Sequence, residues 1–174
     1  MLQYGKSHFE VIPRHPINID LPIMKIPYYK QETNSTCGAA ALRMALSANG
    51  IHRSEKILAR LLGTNKISGV RVENFPPILE RFKMSYIVAR NATFLSLEKI
   101  LEQKYVIIVG YFDPVWQIGH YAVVKSITKN YIYLLDPHPQ FGRDHKYKRA
   151  YFNKLWSEGF RYDKENRWFI AIKK

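Results

Sequence analysis

Apolar positions along this chain change their spacing near its middle, and the change divides it into a helical part and a strand-rich part. Asn34, Ser35 and Thr36, three capping residues in a row, precede a run of strong helix formers that stops at Asn49-Gly50; this predicts a helix from about Thr36 to Ala48. Ser54 is a natural N-cap for a second helix, with Ile57, Leu58, Leu61 and Leu62 on one face and Gly63 as its stop. A third helix is expected from about Asn74 to Pro76 onward, carrying Ile78, Leu79 and Phe82, since proline is tolerated in a first turn. Upstream, Ile23 to Tyr29 is short and apolar enough for a strand, whereas residues 1–22, broken by Pro13, Pro16 and Pro22, hold no sustained period and read as an extended arm lying across the domain.

From residue 85 onward the period shortens. Ser85 to Ala89 reads as a strand, Ser96 to Gln103 as a helix with Leu97, Ile100 and Leu101 on one face, and Tyr105 to Phe112 as a buried strand. His120 to Ile127 and Tyr131 to Leu135 form two β-rich runs joined by a polar turn at about Thr128 to Asn130, the pattern of a hairpin. Asp136-Pro137-His138-Pro139 ends the second run, because proline cannot continue a ladder. Tyr151 to Trp156 predicts a short helix and Arg167 to Ile172 a last strand. Helices first and an antiparallel sheet afterwards make an α+β class, with one domain over residues 23–174 and neither internal repeat nor linker.

Composition narrows the picture further. With 47% hydrophobic and 24% charged residues, the 174-residue chain is an ordinary globular one, and disorder is excluded. Met1 to Leu21 contains Lys6, His8, Glu10, Arg14, His15 and Asp20 and no apolar run of signal-peptide length. The longest apolar run, about Tyr105 to Phe112, is too short to span a bilayer. One cysteine excludes an internal disulfide and a cysteine-rich zinc cage and suits a reducing compartment, so a cytoplasmic location without metal or cofactor is expected. The net charge of +13 is high for this size, with its densest cluster at Arg143 to Arg149 and a smaller one at Lys173-Lys174. A solvated basic surface is the leading reading of it, ahead of attraction to an acidic peptide and of nucleic acid, for which no recognition helix, zinc finger or RNA-binding aromatic pattern is present.

The chemistry centres on Cys37. A first-turn position exposes its sulfur to unpaired backbone N–H groups and the positive end of the helix dipole, both of which stabilise negative charge. Gly38, Ala39, Ala40 and Ala41 are small enough for other backbone, or a substrate, to approach closely. Taken singly, Cys37 also reads as a buried small hydrophobe, His120 as a hydrogen-bonded strand-end histidine and Asp136 as a turn former. The combination is more specific. Gly119-His120-Tyr121 opens one strand of the hairpin and Asp136 closes the other, so antiparallel pairing returns His120 and Asp136 to the same end of the sheet. A cysteine at a helix N-terminus facing a histidine held by a carboxylate is the nucleophile, base and orienter arrangement of thiol hydrolases.

With these residues the chain resembles the double-glycine leader peptidases, papain-like cysteine peptidase domains that mature bacteriocin and pheromone precursors and are usually fused to ABC exporters. The likeness rests on Tyr29-Lys30-Gln31, Cys37-Gly38-Ala39-Ala40 six positions after the glutamine, Gly119-His120-Tyr121, and Leu135-Asp136-Pro137 sixteen positions after the histidine, and it extends from about Ile23 to Phe169. It implies a papain-like fold, its N-terminal helical half packed on a C-terminal antiparallel sheet. It also implies Cys37 as nucleophile, His120 as general base and then acid, Asp136 as orienter of the imidazole, and Gln31 as an oxyanion donor together with the Cys37 N–H. Cleavage after small residues in a leader peptide would follow, with a peptide or protein as substrate and a separate exporter as partner. Two departures stand out: Thr36 occupies the place before the cysteine where the family commonly has an acidic residue, and no transmembrane helix or P-loop accompanies the domain, which is therefore expected to be free-standing. The alternatives are a transglutaminase-like or amidase-type thiol hydrolase, against which Gly38 stands where such enzymes carry tryptophan, and a non-catalytic peptide-binding module of the same fold.

Overall fold

In a computed structural model that describes residues 25–159 and 166–174, the alanine-rich run forms α1, Cys37–Ala48. The expected arm over residues 1–22 lies outside the described residues. Helix α2 spans Glu55–Leu61 and α3 spans Phe75–Arg81, the latter entered through a single 3-10 turn at Val72–Asn74. Ser54 caps α2 as expected, its Oγ accepting from the Ile57 N–H. The buried face of α2 differs from the predicted one, however: Leu58 and Leu62 are buried, Ile57 is exposed, and the charged Glu55 is wholly buried.

Strand β1 (Ser85–Ala89) is followed by α4 (Phe94–Glu102), β2 (Val106–Asp113), β3 (Ile118–Ile127), β4 (Tyr131–Asp136), β5 (Gly142–Lys148), α5 (Arg149–Glu158) and β6 (Phe169–Lys173). A capping box explains why α4 starts two residues before its expected position: Thr93 Oγ1 accepts from the Ser96 N–H while Ser96 Oγ accepts from the Thr93 N–H. The six strands make one antiparallel sheet in the order β1-β6-β2-β3-β4-β5. Helices α1, α2 and α3 cover one face, where Leu42, Leu46, Leu58, Phe75 and Leu79 meet Tyr121, Val123, Trp168 and Ile170. Helices α4 and α5 cover the other, where Leu97, Phe152, Leu155 and Trp156 meet Val109, Tyr111, Val124 and Phe169. The helical first half does pack on the sheet, and the second half adds a helical layer of its own on the opposite face.

One prediction from local pattern does not hold. Residues 25–30 form no strand, although their apolar side chains Ile26, Tyr28 and Tyr29 pack on the core. The basic cluster Arg143 to Arg149 lies mostly on strand β5 at a sheet edge, where Arg143, Lys146 and Lys148 are exposed, as a basic surface requires. Its charges have local partners: Lys125 reaches Asp144, Arg149 bonds Glu98 at 2.8 Å, and Lys146 lies over the rings of Tyr131 and Tyr133.

Gly38 sets the approach of α1 to the sheet. A Cβ at this position would lie 2.3 Å from Val70 Cγ1, 3.1 Å from Tyr121 Cδ2 and 3.3 Å from Phe75 Cζ. Only a residue without a side chain lets the first turn of α1 press on Tyr121, the neighbour of His120. Gly38→Ala is therefore expected to destabilise the protein by about 1–3 kcal/mol despite alanine's better helix propensity, because overpacking outweighs propensity. Urea denaturation checks this, and an unchanged midpoint would show that the Val70 contact yields freely.

Candidate active site

The site lies where the N-terminus of α1 meets the end of the sheet formed by the last residues of β2, the first of β3 and the last of β4. Tyr111 on β2 stands opposite His120 on β3, and β4 runs antiparallel to β3 so that Asp136 returns to the same end. His120 Nε2 is 2.8 Å from Asp136 Oδ1, with both side chains buried. Cys37, in the first turn of α1, lies close enough to this imidazole to act on its charge. Cys37, His120 and Asp136 thus lie together, and the hairpin places the latter two as its register requires.

Burial works against charge in this cluster, and the charges prevail. Burial alone pushes the His120 imidazolium down, but the Asp136 carboxylate, followed by Cys37, pushes it up further, so the histidine titrates well above its ordinary value of 6.5. Burial likewise pushes Asp136 up, and the His120 charge, with hydrogen bonds from His120, Tyr111 and the His138 N–H, holds it below the usual carboxylate range. The Asp136 carboxylate thus favours the charged form of the imidazole beside Cys37.

Asp136 is fixed from several directions. Tyr111 donates its hydroxyl to Oδ2 at 2.6 Å and the His138 N–H donates to Oδ1 at 2.9 Å. The Asp136 carbonyl accepts the Tyr28 hydroxyl at 2.9 Å. Burial, followed by the Asp136 charge, pushes the Tyr111 phenol far above its ordinary value, so it remains a donor throughout the working range. Tyr111 escapes a sequence reading because it sits in a wholly buried apolar strand; its only signal is the register that sets it across from His120.

Gln31 joins the two halves of the site. Its backbone N–H donates to the Pro137 carbonyl at 2.9 Å, beside Asp136, and its Nε2 donates to the Thr33 carbonyl at 2.8 Å, in the loop that leads into Cys37. The side-chain oxygen is buried without a partner, and Nε2 keeps a second N–H. That loop is braced twice. Thr36 Oγ1 accepts from the Thr33 N–H and donates to the Thr33 carbonyl, both at 3.0 Å, instead of capping α1, and buried Glu55 accepts the Glu32 N–H at 2.7 Å. Burial pushes the Glu55 carboxyl up. Among the described residues there is no group of three or more His, Cys, Asp and Glu side chains able to hold a metal ion, and no helix long and apolar enough to cross a membrane.

The sequence profile of the Peptidase C39 family matches residues 25–160. The fold is similar to that of the peptidase domain of Streptococcus ComA, a bi-functional ABC transporter involved in a quorum-sensing pathway, with a TM-score of 0.68 and 19% identity over 84% of this chain and 96% of that one. It is similar to a double glycine motif protease from an AMS/PCAT transporter solved with its leader peptide, with a TM-score of 0.62 and 18% identity over 87% and 93% of the two chains. A C39-like peptidase from Bacillus anthracis matches with a TM-score of 0.68 and 14% identity over 87% and 97%. At these identities the likeness is one of fold. No curated protein matches the sequence.

Proposed function

The chain belongs to the Peptidase C39 family and is a cysteine peptidase, and from that premise we propose that it cleaves peptide bonds with Cys37 as nucleophile, His120 as base and acid, Asp136 as orienter and Gln31 as oxyanion donor. The observation that carries this reading is the buried cluster itself: His120 Nε2 lies 2.8 Å from Asp136 Oδ1, and Cys37 adjoins the same imidazole.

In the proposed reaction the Cys37 sulfur adds to the scissile carbonyl carbon, and the carbonyl oxygen takes up the negative charge. The free N–H of Gln31 Nε2 and the backbone N–H of Cys37, one of the donors that a helix start leaves open, are suited to receive it. The intermediate collapses with rupture of the C–N bond, and the His120 proton passes to the departing amine. Water then attacks the thioester, giving its proton to His120; the C–S bond breaks, the acid is released and the thiolate-imidazolium pair returns. Asp136 stays ionised throughout and holds one ring orientation.

The substrate we propose is a peptide cut after small residues, of the leader-peptide kind that the similar AMS/PCAT protease was solved with, and an exporter is the matching partner. A reducing, cytoplasmic setting suits the lone thiol.

Alkylation of Cys37 by iodoacetamide, followed by mass spectrometry across pH, tests the pairing. The wild type should react well below pH 8.5, where an unassisted thiol becomes reactive, and His120→Ala should lose that acidic shoulder. Slow reaction with the same profile in both proteins would overturn the assignment of Cys37 and His120.

A further inference from the structure

Beside His120 the sheet end carries an apolar tip that the proposed mechanism does not use. The turn between β2 and β3 exposes Val115 at 61%, Trp116 at 52% and Ile118 at 51%, three large apolar side chains within four positions. The tip is shaped from within, because the buried Asp113 accepts the N–H groups of Val115 at 2.8 Å and Trp116 at 3.3 Å through one oxygen. Trp116 is tied to the site by ring contacts. Its indole lies 5.4 Å from the His138 ring, and the His138 ring lies 6.3 Å from that of His120. His138 is anchored in turn by its N–H on Asp136 and by Phe141, 4.9 Å away.

An exposed tryptophan on a braced turn, two ring contacts from the catalytic imidazole, is placed to meet whatever occupies that imidazole. In the proposed mechanism the group that meets His120 last is the departing amine, since His120 gives it a proton. The residue bearing that amine, immediately after the scissile bond, must therefore pass the rings flanking the imidazole. Tryptophan supplies a broad apolar surface at low cost in conformational freedom, and a half-exposed one still has area to bury.

From this juxtaposition we infer that Trp116, backed by His138, forms a specificity wall that takes a large apolar or aromatic side chain on the leaving-group side of the scissile bond. The inference rests on the proposed catalytic roles of Cys37 and His120. It assigns Trp116 to selection of the substrate, with no part in the bond-breaking steps.

The test uses two internally quenched peptides that share the sequence up to a Gly-Gly scissile junction and differ only in the next residue, phenylalanine or glycine. The wild type is expected to cleave the phenylalanine peptide with about tenfold higher kcat/KM, and Trp116→Ala to remove that preference by lowering the phenylalanine rate alone. The glycine peptide and the iodoacetamide reaction of Cys37 should be unchanged in the variant, which shows that the site is intact. Trp116→Phe, which keeps an aromatic face, should retain most of the preference. Equal preference in the wild type and Trp116→Ala, absence of preference in the wild type, or equal loss on both peptides would overturn the inference while leaving the catalytic reading standing. Failure of the wild type to cleave either peptide, with Cys37 and His120 behaving independently in alkylation, would overturn the catalytic reading and the wall together.

Discussion

Cys37→Ala is expected to lower peptide hydrolysis by about a millionfold, the loss seen when the nucleophile of a concerted hydrolase site is removed. His120→Ala should cost about as much, because a nucleophile without its proton acceptor and a base without its nucleophile are equally idle. The double variant is the sharper experiment. If the two residues act as a unit, Cys37→Ala combined with His120→Ala is no slower than either alone, the remaining rate coming from binding and from oxyanion donors. Additive losses would separate the residues and break the proposed pairing. Stability should barely register the cysteine change, since Cys37 is a small side chain and deleting one buried heavy atom costs about 1 kcal/mol. A thermal or urea melt alongside the kinetics distinguishes lost chemistry from lost fold.

Asp136→Ala should be the most damaging single change when fold and chemistry are considered together. It removes the acceptor of three groups at once, the His120 ring, the Tyr111 hydroxyl and the His138 N–H, all within 2.9 Å of the carboxylate. Breaking a buried ion pair from one side costs about 3–5 kcal/mol, because the remaining partner stays buried without compensation. Turnover should fall by about four orders of magnitude, since the imidazole loses both its orientation and its preferred protonation. Asp136→Asn separates the two effects: it keeps the shape and most of the stability and loses the activity.

The stability effect of Asp136→Ala also has a characteristic pH dependence. Native His120 titrates above its ordinary 6.5, so its contribution is complete below that value and is lost as pH rises through the native one. Native Asp136 titrates below its ordinary 3.8, so its contribution is complete above that value and is lost as pH falls through the native one. The pair therefore contributes fully between about 3.8 and 6.5. Urea midpoints of wild type and Asp136→Ala should differ most near pH 5.5 and converge toward alkaline pH. A gap constant from pH 5.5 to pH 10 would show that charge pairing is not what holds the site.

The two ends of the sheet show how far local pattern reaches. Ser54 announces its helix because a cap is satisfied by a backbone group three residues away, and the His120 to Leu135 hairpin is legible because its turn and its alternation are local. That hairpin also brings His120 and Asp136 together, whereas setting Cys37 and Gln31 beside them took the family resemblance. The strand β5 was not legible, since an edge strand whose side chains are Arg143, Asp144, His145, Lys146, Tyr147 and Lys148 carries no apolar run to announce it. Its pairing with β4 is what makes it a strand. The converse error lies at residues 25–29, apolar enough for a strand but left without a ladder because their side chains, and not their backbone, are what the core takes up.

The amino-acid sequence by itself determined the helices, the hairpin and the α+β class, because each of these rests on capping, periodicity or turn chemistry within a few positions. Only the tertiary structure decided that Glu55 is buried under the loop before Cys37, that Tyr111 completes the Asp136 carboxylate, that Gly38 lets α1 close on Tyr121, and that Trp116 stands beside His138. Each of those is a contact between segments from 22 to more than 80 residues apart. A polar group's burial and a glycine's necessity depend on the atoms that arrive opposite, and sequence spacing alone does not say which these will be.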